Sequence, residues 1–133
     1  MRMKKLALAC ALALGLQAPS LAQWKPAGDR IKTEWGEKLD PANVLPEYPR
    51  PMMERKEWKN LNGLWDYAIR PCGEAEPKTY DGEILVPFAV ESSLSGVGVH
   101  LEDSQELRYT RQFEVPAGWL GNRVVLHFDA VFW

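Results

Sequence analysis

The run Ile84-Leu85-Val86, stopped by Pro87, constrains the fold of this chain more than any other stretch. It has the length and β-branched bias of a strand, and we expect the strand to end at Pro87, which cannot donate to a sheet ladder. A turn-prone loop at 91–98 follows, with one carboxylate, three hydroxyls and two glycines. Loops held by a sheet often carry binding groups. The residues alone nevertheless favour a solvated turn, because loop polarity is only a correlation with function.

The residues before this run alternate in the manner of another strand. Between Leu61 and Arg70 one face is large and apolar, and it is formed by Trp65, Tyr67 and Ile69. This period-two alternation predicts a strand with that face buried. A polar connection at 74–82 separates it from the strand at 83–86.

A further strand is predicted at 106–116, where apolar and polar residues again alternate. Arg111 falls on its apolar face. A buried guanidinium needs a carboxylate or several carbonyl oxygens to offset its desolvation. Two interpretations of Arg111 stay open, a structural ion pair in the core and an arginine that reaches into a site at the sheet edge.

After a hairpin turn at 116–122, residues 123–133 have the pattern of a long last strand. His127 and Asp129 share a face of it, but neighbours at i and i+2 point the same way without having to touch, so a catalytic pair is a weak hypothesis. The sequence stops inside an apolar run that would leave a sheet edge exposed, so we expect it to be truncated. Short strands with regular turn signals predict an all-β fold, with part of an antiparallel β-sandwich at 59–133.

Residues 23–58 are rich in proline and have no hydrophobic periodicity. Because proline fixes its own φ and biases the preceding residue toward extended conformations, we expect an extended lead-in. Three aromatic residues, Trp35, Tyr48 and Trp58, are predicted to anchor it to the body of the domain, since disordered segments are usually poor in aromatics. A helical turn is possible at 52–58.

Residues 1–22 have the pattern of a cleaved secretory signal peptide. Basic residues near the start precede the apolar stretch Leu6–Leu16, and small residues stand at both key positions before a cleavage site ahead of Gln23. The apolar stretch is shorter than the roughly 20 residues that span a bilayer, so no stable membrane anchor is expected. The pattern predicts a secreted or periplasmic bacterial protein. Cys10 leaves a lipoprotein signal as an alternative, although Ala7-Leu8 is a poor context for lipid attachment.

The charge and the cysteine count exclude several classes of function. The 133-residue sequence allows at most one domain. Without the basic residues Arg2, Lys4 and Lys5 of the signal peptide, 13 basic residues face 18 acidic ones, a net charge of −5 that argues against nucleic acid or anionic membranes as partners. Cys72 is then the one cysteine, which rules out an internal disulfide. His100 and His127 stand far apart without a Cys/His cluster, so neither a metal site nor a cofactor is predicted.

Three motifs together resemble the amino-terminal sugar-binding domain of the family 2 glycoside hydrolases, which include β-galactosidases, β-glucuronidases and β-mannosidases. The resemblance covers most of 35–133, and its specificity comes from the order and spacing of the motifs. They are Leu61-Asn62-Gly63-Leu64-Trp65, the loop motif Val86-Pro87-Phe88 with Glu91-Ser92 and Leu94-Ser95-Gly96, and Tyr109-x-Arg111-x-Phe113-x-Val115-Pro116 with Arg123-Val124-Val125-Leu126-His127-Phe128.

The chain departs from the family pattern at two places. The family often has W-Y-R-R where this chain has Arg108-Tyr109-Thr110-Arg111. It often ends this region with G-A-V-D-W, where Phe132 here replaces the aspartate. A polar contact from position 132 is therefore not carried over.

The resemblance implies a jelly-roll β-sandwich, similar to galactose-binding domains, at the front of a longer enzyme. In the family, an immunoglobulin-like domain and a barrel follow, and two barrel glutamates roughly 5 Å apart perform retaining hydrolysis of O-glycosyl bonds. No catalytic residue is assigned in this chain, since a barrel alone needs about 250 residues. The loop at 88–93 corresponds by position to the rim of the sugar pocket, with Glu91 and Ser92 as candidate substrate-binding residues. The implied partners are a carbohydrate substrate and the remaining domains of the parent enzyme.

Two other classes of function stay open. A free-standing carbohydrate-binding module would present exposed tryptophans as a flat platform for sugar rings. Trp65 falls on an apolar strand face and Trp119 in a turn, so the sequence does not indicate such a platform. A structural or adhesion sandwich that binds protein is the third class, and no residue pattern supports it.

Overall fold

The structure, a computed structural model, describes residues 24–129, and the predicted signal peptide at 1–22 lies outside them. These residues form one three-stranded antiparallel sheet, connected by irregular segments with almost no helix. The coarse prediction of an all-β fold is confirmed. None of the helices in the described part of the chain is long and apolar enough to cross a bilayer.

The three strands are β1 (Gly63–Pro71), β2 (Gly82–Val86) and β3 (Gln105–Thr110), and β1 lies between the other two. Tyr67 in the middle of β1 pairs with Gly82 on one side and with Tyr109 on the other. The predicted end of β2 before Pro87 is confirmed, and a cis peptide bond joins Val86 to Pro87. The loop with the candidate binding residues therefore leaves the sheet directly from β2.

Burial in the sheet differs from the predicted one-sided pattern. Ile84 and Leu85 are both fully buried although neighbours on a strand point to opposite faces, so both faces of β2 are covered. On β1 the fully buried side chain is Ala68, while the predicted core residues Trp65, Tyr67 and Ile69 are only partly buried. Ala68 pairs with Arg108, whose guanidinium is held by the Glu106 carboxylate and the Glu74 carbonyl.

The two predicted strands nearest the end of the chain are shorter than expected. β3 stops at Thr110 instead of continuing to Pro116. The carbonyl oxygens of Leu61 and Asn62, which a longer β3 could have used, accept hydrogen bonds from the Arg111 guanidinium. Residues 123–129 are exposed and form no strand, and no other described segment pairs with them. The rest of this predicted strand, 130–133, lies outside the described residues. The expected hairpin at 116–122 is instead a 3-10 helical turn, Ala117–Trp119.

The lead-in is irregular, as predicted, apart from two short elements. Helix α1 (Glu34–Glu37) begins after Thr33, whose hydroxyl accepts a hydrogen bond from the Gly36 amide, and a 3-10 turn spans Pro51–Met53. Tyr48 and Trp58 pack edge to face with their ring centroids 4.7 Å apart. The prediction for Trp35 was wrong: its side chain is 80% exposed, because α1 turns its buried position, Gly36, toward the body instead.

Polar contacts join the end of the lead-in to the last described segment. The Lys59 ammonium donates to the Glu114 carbonyl (2.9 Å), and the Trp119 indole donates to the Glu57 carboxylate (2.6 Å). Arg50 and Asp129 form an exposed salt bridge of 3.3 Å. These contacts hold residues 111–129 beside the lead-in without a strand ladder.

Candidate functional site

The loop after β2, residues 87–98, is closed and internally bonded. The Phe88 amide donates to the Leu85 carbonyl (3.1 Å), and the Ser92 amide donates to the Ala89 carbonyl (2.8 Å). The Val99 amide donates to the Val90 carbonyl (3.2 Å), which brings the two ends of the loop together. Val90 itself is 4% exposed and anchors the loop on the core. A polar loop predicted from composition is therefore a fixed element rather than a solvated turn.

Ser95 is the centre of this loop. Its side chain is fully buried, and its hydroxyl accepts hydrogen bonds from the amides of Val97 (3.0 Å) and Gly98 (3.4 Å). The same hydroxyl is 2.7 Å from the Ser92 carbonyl, to which it donates. No role for this serine was predicted from the sequence. Serine hydroxyls nevertheless commonly bond backbone groups two or three residues away, as this one does.

Ser92 begins the 3-10 turn Ser93–Ser95. Its hydroxyl oxygen accepts a hydrogen bond from the Leu94 amide (3.2 Å), which is a cap on the turn. Gly96 ends the turn with a φ of 84°, in the left-handed region that favours glycine. Ser92 thus has a structural role, and within residues 24–129 its hydroxyl donates no hydrogen bond, so it can donate to a ligand.

Glu91 differs from its neighbours because its side chain takes no part in the bonding of the loop. It is exposed, and within residues 24–129 its carboxylate forms neither a hydrogen bond nor a salt bridge. Its backbone neighbours on both sides are fixed by Val90 and Ser92. A carboxylate held on a rigid backbone and left without partners is available to accept hydrogen bonds from a ligand.

Tyr109 of β3 lies near this carboxylate, which sequence reasoning did not anticipate. Burial raises the pKa of the Tyr109 phenol, and the negative charge of Glu91 raises that pKa further. The side chain is still 44% exposed. The phenol on β3 and the carboxylate on the loop after β2 are thus close enough to interact electrostatically. The signal in the sequence was weak, because tyrosine on an alternating strand usually indicates only a buried face.

Arg111 does not join this group. Its Nη1 donates to the carbonyl oxygens of Leu61 (2.7 Å) and Asn62 (2.8 Å), and no carboxylate of residues 24–129 forms a salt bridge with it. The guanidinium lines an open groove of about 500 Å³ together with Lys59, Leu61, Gln112, Phe113 and Glu114. No residue of the loop lines that groove. The expected core ion pair of Arg111 is therefore not found within residues 24–129: the guanidinium is only partly buried, and two carbonyl oxygens hold it at the groove.

Two further hypotheses from the sequence concern possible catalysis and metal binding. Asp129 accepts a hydrogen bond from Arg50, so this carboxylate is engaged by an arginine rather than by His127. No group of three or more His, Cys, Asp or Glu side chains within 24–129 is arranged to hold a metal ion.

Comparison of the chain with models of known protein families finds no match, and comparison with curated proteins finds no significant match. The resemblance to family 2 glycoside hydrolases therefore rests on the motifs in the sequence, and the function it implies is a proposal.

Proposed function

We propose that this chain is the amino-terminal, sugar-binding part of a secreted family 2 glycoside hydrolase, which hydrolyses O-glycosyl bonds with retention in carbohydrate metabolism. The single observation that carries the proposal is the exposed carboxylate of Glu91, which has no hydrogen bond or salt bridge within residues 24–129 and stands on a loop held by backbone and serine hydrogen bonds. The three family motifs support it, because the first lies at the start of β1 and the second begins at the end of β2, where Gly63 pairs with Val86.

The chemistry of a sugar fits these groups. A carboxylate accepts hydrogen bonds from two adjacent hydroxyls, and bonds to a charged acceptor are stronger than neutral ones. The Ser92 hydroxyl, next to Glu91 in the chain, and the Tyr109 phenol, which interacts electrostatically with Glu91, would each add a donor. Polar groups on a fixed backbone bind with little loss of conformational entropy. The loop would form one rim of a pocket whose catalytic glutamates come from a barrel elsewhere in the enzyme.

The exposed apolar residues support a jelly roll that is only partly present. Large side chains at 113–128 are 42–79% exposed; they include Phe113, Val115, Leu120, Val124, Leu126 and Phe128. So many exposed large apolar side chains in one segment are typical of a region that packs against another element. In the proposed enzyme that element is the rest of the sandwich.

The test is to express the protein from the complete reading frame that contains these residues and to assay it on p-nitrophenyl β-galactoside, β-glucuronide, β-mannoside and α-arabinoside. The proposal predicts hydrolysis of at least one of them, with a first-formed product of retained anomeric configuration by proton NMR. A reading frame without a barrel, or inactivity on a wider panel of glycosides, would contradict it.

A free-standing carbohydrate-binding module is the second candidate, and the exposed indole of Trp35 favours it. An aromatic ring that is 80% exposed offers its face to a sugar ring. Affinity electrophoresis in gels that contain polysaccharide separates the two candidates. A module would be retarded and would lose the retardation on Trp35→Ala, whereas the hydrolase proposal predicts no dependence on Trp35.

A further inference from the structure

The first part of the lead-in lies against the candidate loop and contacts it at three places. The Ala27 amide donates to the Ser93 carbonyl (2.8 Å), and the Ser93 hydroxyl donates back to the Ala27 carbonyl (2.5 Å). The Trp24 indole donates to the Ser95 carbonyl (3.4 Å). These bonds join residues between 66 and 71 positions apart in the sequence.

Two glycines of the loop allow this close approach. A Cβ on Gly96 would stand 2.6 Å from the Trp24 indole nitrogen, and one on Gly98 would stand 2.8 Å from the Ala27 Cβ. Both glycines also have a positive φ, 84° and 65°, so a side chain there is disfavoured twice. The contact between lead-in and loop therefore depends on the two glycines of Gly96-Val97-Gly98, a short pattern that by itself predicts no function.

The third contact is apolar. α1 presents its buried Gly36 to Leu94, whose methyl carbon lies 3.5 Å from the position that a Cβ of Gly36 would take. Thr33 caps α1 and so fixes this approach. Trp24, Ala27 and Gly36 together hold the turn Ser93–Ser95 from one side, while β2 holds the loop from the other.

We infer that residues 24–36 are a strap that positions the sugar-binding loop, and that Trp24 and Ala27 are positioning residues for Glu91. The strap binds the turn Ser93–Ser95, and that turn begins at Ser92, next to Glu91. A loop fixed at both sides holds the carboxylate in one place before the ligand arrives, which lowers the entropic cost of binding. The inference rests on the proposed function for its effect on sugar, but not for the strap itself.

The first test uses the mature full-length protein and pairs of glycine variants. Gly98→Ala places a methyl group against Ala27, whereas Gly73→Ala, at a φ of 79° with no atom within 4 Å, adds the same kind of backbone strain without a contact. We expect Gly98→Ala to speed hydrogen exchange of the amides at 93–98 by about tenfold or more, and Gly73→Ala to leave it unchanged. Adding Ala27→Gly to Gly98→Ala should restore part of the protection, since it removes the clash.

A milder variant covers the case in which Gly98→Ala fails to fold. Trp24→Phe keeps an aromatic ring against Gly96 but loses the hydrogen bond to Ser95, and Trp24→Ala loses the ring as well as the hydrogen bond. The strap predicts faster exchange at 93–98 in the order wild type, Phe, Ala. Equal exchange in all three proteins overturns the inference.

The effect on sugar is read from steady-state kinetics of the same variants. Since the strap acts on binding, Trp24→Ala should raise KM by on the order of tenfold while kcat changes by less than about twofold. A loosened loop with unchanged KM overturns the positioning role and leaves the hydrolase proposal intact. If the variants exchange faster but the wild-type protein hydrolyses no glycoside, the strap stands and the proposed function fails. The two failures are therefore distinguishable.

Discussion

The carboxylate of Glu91 lies close enough to Tyr109 for its negative charge to raise the pKa of that phenol, although the two residues belong to different elements on either side of β1. Burial is the larger cause of the shift. This electrostatic relationship links β3 to the candidate loop after β2.

Replacement of Glu91 by glutamine should lower the pKa of Tyr109. It removes the charge and keeps the size of the side chain, so the pKa should fall toward its ordinary value yet stay above it, because burial remains. NMR titration of Cζ-labelled tyrosine measures this pKa in both proteins. Glu83→Gln, an exposed carboxylate on β2, is the control and should leave Tyr109 unchanged. A Tyr109 pKa that does not respond to Glu91→Gln would refute the proximity.

Ser95→Ala should loosen the loop without unfolding the sheet. The change leaves the partly buried amides of Val97 and Gly98 without their acceptor, a cost of about 1–3 kcal/mol. Native-state hydrogen exchange of these amides gives the local free energy of opening. Ser104→Ala, at an exposed serine, is the control. Equal protection in the Ser95 and Ser104 variants would show that the buried hydroxyl does not hold the loop.

Arg111→Ala should destabilise the start of β1. The guanidinium donates to the Leu61 and Asn62 carbonyls, and bonds that involve a charged group contribute about 1.5–3 kcal/mol each. We expect the free energy of opening of the first β1 amides to fall by about 2–4 kcal/mol after allowing for partial exposure and water access. Arg123→Ala, in the exposed segment, should have no effect on these amides. An equal free energy of opening in the two variants would contradict this role of Arg111.

The carboxylate of Asp81 should titrate below its usual range. A hydrogen bond from Arg70 is the main cause of the lowered pKa, and the Ile69 amide is the next. A lowered pKa in the folded state means that the contribution of Asp81 to stability is present above about pH 4 and is lost as the pH falls through the lowered value. Carbon-13 NMR of the carboxyl measures it. Arg70→Met should raise the pKa of Asp81 most of the way back, and a value unaffected by Arg70→Met would contradict this assignment.

The sequence predicted the sheet well where local and long-range signals agree. β1 and β2 have the expected bounds within two residues, because alternation and Pro87 act within a few positions. The strand predicted at 106–116 forms only as far as Thr110, and residues 123–129 of the last predicted strand form none, because a strand pattern forms a strand only where a partner backbone is present. The first ends where the Arg111 guanidinium binds the carbonyl oxygens of Leu61 and Asn62, just before β1.

The candidate site could be predicted only in part. Glu91 and Ser92 were found from their position in a motif. Tyr109, Ser95 and the strap were not found, because each depends on contacts between distant parts of the chain. Trp24 contacts Ser95 across 71 positions, and no local pattern distinguishes it from Trp35, which is exposed.

The most direct test of the proposed sugar site is the KM of Glu91→Ala in the full-length enzyme, with Glu76→Ala as the matched exposed carboxylate. Loss of charge-assisted bonds to sugar hydroxyls should raise KM by roughly 10-fold to 100-fold, and kcat should change little. Glu76→Ala should match the wild type. A KM for Glu91→Ala equal to that of the wild type would contradict the account, because the loop would then not bind the substrate.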